Sequence, residues 1–290
     1  MKIKKNIILA PHTSFGIGGP AEYFIEVKGG KEIKQAISWA KKQKIQYHIL
    51  GGGTNVLVSD KGVKGLVIKI VNNQLSIVNC QLTCSAGLTA NKAAIKTAAA
   101  GLSGLHYFAG LPGTVGGALY KNSHWYDHHF SDCLTSVEVL DEKFQAKKIK
   151  KEKLVFTYDW SSFQQTNLII LKAAFNLKKE NPEVLKKEVE KILKQRSIKQ
   201  PKGGSLGCIF KNPSAKSAGR LIENAGLKGK QIGGIIISPK HANFFINKGV
   251  AKASDVNKLI KLVQNKVHQK FKINLEPEIF FWGEFERKVK

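Results

Sequence analysis

Two ionisable side chains in this chain lie in settings that could fit them for acid–base chemistry. Cys208 lies in GCIFKNP, Gly207 to Pro213, flanked by glycine and followed by a lysine and an asparagine that can tune a thiol. A buried structural cysteine is the other reading of that segment. Glu278 lies in LEPEIFFWG, Leu275 to Gly283, where alternation predicts a terminal strand with Glu276 and Glu278 on one face and Ile279 and Phe281 on the other. A carboxylate in so apolar a strand is costly unless paired or functional, which favours Glu278. SPKHANFFIN, Ser238 to Asn247, interleaves His241, Asn243 and Asn247 with Phe244, Phe245 and Ile246; an exposed turn entering a buried strand would look the same. Two glycine-rich segments complete the set. LGGGTNVLV spans Leu50 to Val58 and AGLPGTVGGAL spans Ala109 to Leu119. Lacking a Cβ, such backbone can bring N–H groups close to an anion. Two phosphate cradles in one protein point to a ligand with a pyrophosphate, a dinucleotide. Neither segment reads GxGxxG or GxxxxGK[ST], and tight surface turns remain the alternative for each.

These segments need elements to hold them. Periodicity predicts a helix over 31–44, strands at 47–50, 66–70, 75–78 and 80–85, and an Ala/Lys-rich helix over 90–100 closed by Gly101. A hairpin follows at 134–140 and 146–149, then a strand at 168–175 and an amphipathic helix at 183–196. Beyond Pro201 come a helix at 217–225, strands at 234–237 and 243–246, a helix at 253–270 and a strand near 278–282. Strand runs broken by occasional helices give an α+β class rather than a regular βαβ array.

Composition limits the partners. The net charge is +26, nearly all lysine, with arginine only at Arg196, Arg220 and Arg287. Base recognition favours arginine forks, so a solvated lysine surface that attracts small polyanions is expected, with no nucleic-acid partner. No run approaches the ~20 apolar residues of a membrane span. The apolar stretch near the N-terminus is too short for a signal segment, so no membrane insertion and a cytoplasmic location are expected. Cys80, Cys84, Cys133 and Cys208 are too sparse for a disulfide scaffold, and reduced thiols are expected. His124, His128, His129 and Asp132 match no standard zinc spacing, so no metal is expected.

In order along the chain, TSFGIGGPAEYF (Thr13 to Phe24), LGGGTNVLVSD, GLPGTVGGAL, RxxKQP (Arg196 to Pro201), GCIFKNP, AGRLIENAGLKG (Ala218 to Gly229), SPKHANFFIN and LEPEI resemble the UDP-N-acetylenolpyruvoylglucosamine reductase (MurB) family, compact type. The resemblance runs from about His12 to Gly283. It implies an N-terminal FAD-binding module of the vanillyl-alcohol-oxidase (PCMH-like) type over 1–180 and a C-terminal α+β substrate-binding domain over 181–290. It implies FAD as cofactor, NADPH as co-substrate, a UDP-sugar substrate and a monomer, in peptidoglycan precursor synthesis. Gly51, Gly52, Gly53, Thr54 and Asn55 would cradle the pyrophosphate, with Gly113, Thr114, Gly116 and Gly117 on its other side. Tyr158, Lys199 and Asn212 would hold the substrate. Cys208 stands where the family carries a serine that protonates the substrate, and Glu278 matches an acidic residue near the reacting carbon.

Two departures accompany the resemblance. The family's YRxSxF reads YDWSSF here, so Asp159 replaces an active-site arginine; the NAGAYG-like run reads NSHWYD, Asn122 to Asp127. A nearby lysine is expected to supply the missing charge. The alternative is a FAD-binding nucleotide-sugar protein with impaired or altered catalysis. An oxidase sharing the FAD module conflicts with GCIFKNP and SPKHANFFIN, and a basic RNA binder lacks aromatic–glycine signatures.

Overall fold

A computed structural model describes residues 1–213 and 216–285. Two compact units alternate along the chain. One takes 25–52 and 68–196 with the first two residues; the other takes 3–24, 53–67 and the chain from Ser197 onward. The division drawn from sequence at 180 is linear, whereas these units interleave.

The first unit is built on a five-stranded antiparallel sheet, ordered Ala146–Lys150, Leu134–Leu140, Ile169–Asn176, Gln81–Ser85 and Leu75–Val78. Val137, Val139, Ala173, Phe175 and Leu82 bury one side of it with Phe108 and Phe130. The turn after Leu140 is tied by Asp141, whose carboxylate accepts from the N–H groups of Lys143 and Gln145 at 2.9 and 2.8 Å. Helix Gly30–Lys42 buries Ile33, Ala36, Ile37 and Ala40, a stripe at helical spacing, while its lysines stay outside. Helix Ala90–Ala99 is capped by Thr89, which accepts from Lys92 N–H. A short helix, Val115–Lys121, grows directly out of the second glycine-rich segment. Helix Pro182–Lys199 closes the unit's share of chain, burying Leu185, Val189 and Ile192.

The second unit has its own core. Strand Ile235–Ile237 lies between Gln231–Ile232 and Phe245–Asn247, all antiparallel. Helix Ala253–Phe271 adds Val256, Leu259, Ile260, Val263 and Val267 to that core. Its first N–H groups are satisfied from far away: Asp60 accepts from Ala253 at 2.7 Å and Ser254 at 2.9 Å. Val56–Val58 pairs in parallel with Phe280–Trp282, and Lys4–Ile8 pairs antiparallel with the start of Pro20–Val27.

The terminal strand corrects an expectation. It begins at Phe280, so Glu276 and Glu278 precede it. Pro277 makes only an isolated bridge to Phe210, because proline has no N–H to extend a ladder. Ile279 is buried but Phe281 is exposed, so the two do not share a face.

A buried and a half-buried histidine give the fold a pH dependence. Burial pushes His106 in the first unit and His241 in the second below the ordinary imidazole value, with Glu188 pulling His106 back upward. The unfolded chain then binds protons that the folded chain refuses once pH falls through about 6.5. Stability is therefore retained above that pH and declines below it. Urea midpoints measured at pH 7.5 and 5.5 should fall toward acid, and the fall should shrink in His106→Asn.

Candidate active site

In the first unit the two glycine-rich segments meet, although about 60 residues separate them. A Cβ on Gly51 would lie 2.7 Å from Thr114 Oγ1. Thr114 caps the helix that follows, accepting from Gly117 N–H at 3.3 Å, and Gly113 before it has φ +98°. The glycines divide into two kinds. Gly116 gives its N–H to Ala86 O at 2.8 Å, and a Cβ there would meet Ala86 Cβ at 2.9 Å. It supports the loop from behind. Gly52 and Gly117 are exposed, and a Cβ on Gly117 would find nothing nearer than Thr114 Oγ1 at 3.4 Å. They leave a side-chain-free backbone surface, the form that a pyrophosphate requires. In the second unit Gly53 has φ +64°, and a Cβ there would strike the carbonyl of His12. Thr54 is half-buried, and Asn55 donates from Nδ2 to Glu278 O at 3.2 Å while its own carbonyl accepts from Phe280 N–H at 2.9 Å.

Cys208 and Glu278 belong to one construction in the second unit. Glu278 N–H donates to Ile209 O at 2.8 Å, and Lys211 N–H donates to Glu276 O at 3.0 Å. The Cys208 segment thus runs antiparallel to the Glu278 segment. On its other side Cys208 bridges Phe244. Cys208 and Glu278 are both half-buried. Glu276 instead is exposed and pairs with Lys211 Nζ at 2.5 Å.

The residue that fixes this arrangement is Asn243, 2% exposed. Its side chain accepts from Phe210 N–H at 2.9 Å and donates to Phe210 O at 2.7 Å; its carbonyl accepts from Ile209 N–H at 2.9 Å. Sequence singled it out as a polar residue among aromatics but gave no sign of a clasp 33 residues away. The other polar residues there are also structural. Asn247 accepts from Gly249 and Ala251 N–H and donates to Phe15 O, and His241 Nδ1 accepts from Asn243 N–H. Asn243→Ala would leave buried groups of Phe210 unpaired, each costing about 1–3 kcal/mol. The expected result is a clearly lower denaturant midpoint with unchanged slope, read by chemical unfolding.

The remaining expected substrate residues are divided between the units. Asn212 accepts from Ala218 N–H at 2.9 Å, fastening its loop to helix Ala218–Asn224. Lys199 is the exposed last residue of its helix. Tyr158 is exposed in the first unit, its ring 4.8 Å from that of His124. Asp159 is buried in a turn with φ +52°, with Oδ1 3.5 Å from His124 Nδ1. The other histidines of that segment have their own neighbours: His128 stacks on Tyr107 at 3.4 Å and His129 lies 4.0 Å from Asp132. Arg196 lies over Trp125 at 3.9 Å, and burial lowers its guanidinium to about 10.

Comparison with known proteins agrees with this layout. A family profile described as UDP-N-acetylenolpyruvoylglucosamine reductase, C-terminal domain, matches residues 199–282, and an FAD binding domain profile matches 21–144. A UDP-N-acetylenolpyruvoylglucosamine reductase of Caldicellulosiruptor bescii is 43% identical, covering 96% of this chain and 90% of that one. One from Lachnoclostridium phytofermentans is 37% identical, covering 98% and 94%. The crystal structure of the corresponding reductase from Thermus caldophilus superposes with a TM-score of 0.85 at 33% identity, over 98% of this chain and all of that one. Among the described residues no helix is long and apolar enough to cross a membrane.

Proposed function

The chain belongs to the UDP-N-acetylenolpyruvoylglucosamine reductase family, and from that premise we infer its reaction. It reduces the enolpyruvyl group of UDP-N-acetylglucosamine enolpyruvate to give UDP-N-acetylmuramate, with NADPH as reductant and FAD as cofactor. FAD, when bound, supplies the hydride chemistry, taking a hydride from NADPH and giving it to C3 of the enolpyruvyl group. The observation that carries this reading is the meeting of Gly51 with Thr114, which joins two backbone segments bare of side chains in the family's FAD-binding region.

The chain's own residues then have definite tasks in this reading. Gly52, Gly53, Thr54 and Asn55 on one segment, and Gly113, Thr114 and Gly117 on the other, hold the pyrophosphate; Gly51 and Gly116 set the loops that present them. Hydride arrival at C3 leaves negative charge on C2 and its carboxylate, which needs a proton and hydrogen-bond donors. Cys208 gives its proton to C2, and a thiol, with an ordinary pKa of ~8.5, is acid enough for the task. Asn243, by fixing Ile209 and Phe210, holds the thiol's backbone in place. Glu278, tied to the same segment through Ile209, brings its carboxyl group to the reacting end in this reading. Lys199, Asn212 and Tyr158 bind the UDP-sugar. The region to about 180 serves FAD and the region from 181 serves the substrate, and the enzyme acts as a cytoplasmic monomer. Under anaerobic conditions NADPH oxidation should require the enolpyruvyl substrate and match it one to one. NADPH consumption without that substrate, or none with it, refutes this reading.

A further inference from the structure

The buried carboxylate of Asp159 calls for an explanation, because it stands at the sequence position where the family pattern carries an arginine, and an anion would repel the carboxylate that an arginine attracts. Asp159 is 6% exposed and is held in place from several sides. Gln164 Nε2 bonds both Asp159 O and Tyr120 O, and Ser161 Oγ donates to Tyr120 O. Asn122 Nδ2 donates to Thr157 O at 2.9 Å. The Phe156–Ser161 hairpin is thereby fastened to the end of helix Val115–Lys121, with the Asp159 side chain inward. In front of it stands His124, whose side chain is 27% exposed. Asp159 Oδ2 and His124 Nδ1 receive and make no hydrogen bond, although Oδ1 is 3.5 Å from Nδ1. The imidazole thus has its Nδ1 against a buried carboxylate and its ring 4.8 Å from that of the exposed Tyr158.

We propose that His124, oriented by Asp159, binds the carboxylate of the enolpyruvyl group, the task for which the family pattern carries an arginine at position 159. This rests on the functional reading above. A carboxylate behind an imidazole fixes which nitrogen faces it and turns the other outward. The nitrogen turned away from Asp159 is then the one that can donate to an incoming carboxylate. Asp159 is then a positioning residue and His124 the group that meets the substrate. Near the ring are Tyr158 at 4.8 Å and His129 at 5.9 Å, with Asp132 beside His129; Lys121, 8% exposed, precedes His124 by three residues at the end of helix Val115–Lys121.

The test compares two ligands on the FAD-loaded protein by calorimetry: UDP-N-acetylglucosamine enolpyruvate and the same UDP-sugar without the enolpyruvyl ether. His124→Gln should weaken the first by about ten- to hundredfold and leave the second unchanged, because one charge-assisted hydrogen bond is lost. His124→Arg should restore most of the difference, and Asp159→Asn should show a smaller loss of the same kind. An unchanged ratio of affinities in His124→Gln overturns the proposal alone. Equal loss for both ligands, without rescue by arginine, also overturns it, because His124 would then be merely structural. If His124→Gln does not hold FAD, the ratio in Asp159→Asn and His124→Arg decides in the same way. A wild-type protein that binds neither ligand overturns the proposal together with the functional reading.

Discussion

Gly52→Val and Gly117→Val should each give a folded protein that has lost its flavin. Gly52 and Gly117 are exposed, and Gly117 is in the helix Val115–Lys121 with ordinary space around an added Cβ. At Gly117 a branched side chain costs little within the fold, and at both positions it occupies the surface on which a pyrophosphate would lie. Gly116→Val and Gly51→Val should fail differently. Their added carbons meet Ala86 and Thr114, so the loops themselves must shift and stability should fall. Visible absorbance after purification and circular dichroism separate the two classes. Full FAD occupancy in both Gly52→Val and Gly117→Val would refute the placement of the cofactor.

The second large effect concerns Cys208. Cys208→Ala should leave FAD reduction by NADPH intact and slow the reduction of the enolpyruvyl group by about 10²–10⁴-fold, the usual contribution of a positioned acid. Cys208→Ser should stay active, since a hydroxyl in the same place can donate a proton. The half-reactions can be followed separately by rapid mixing. Equal loss in both halves would make Cys208 a structural residue, the alternative its sequence setting leaves open. Glu278→Gln should likewise slow only the second half, by removing the carboxyl group from the reacting end while the backbone tie to Ile209 persists.

Much of the framework was legible because local pattern and tertiary role agreed. Tyr47–Leu50 and Leu75–Val78 form strands over the expected residues, and helix Ala253–Phe271 follows its apolar stripe to within a residue. The failures have physical causes. KKNII, the strand Lys4–Ile8, is largely exposed and joins its partner through backbone bonds, so it carries no apolar alternation to read. Helix Val115–Lys121 contains two adjacent glycines, poor helix formers, and exists because Thr114 caps it while Val115 and Leu119 enter the core. The Glu278 strand was placed two residues early because Pro277 interrupts the ladder. Within the site, the glycine segments and Cys208 were visible as composition. The difference between Gly116 and Gly117, the clasp of Asn243 and the pairing of Asp159 with His124 depend on contacts distant in sequence. The lysine-rich composition drew attention to a lysine as the source of the charge that the missing arginine would carry, and the fold puts an imidazole 3.5 Å from Asp159.

The central claim is that one bound flavin carries electrons from NADPH to the enolpyruvyl group. Its most direct measurement is the flavin absorbance of the purified holoenzyme under strict anaerobiosis. NADPH in stoichiometric amount should bleach it, and addition of UDP-N-acetylglucosamine enolpyruvate should restore it in a single turnover, with UDP-N-acetylmuramate formed in equal amount. A flavin that remains bleached until oxygen is admitted would contradict the account.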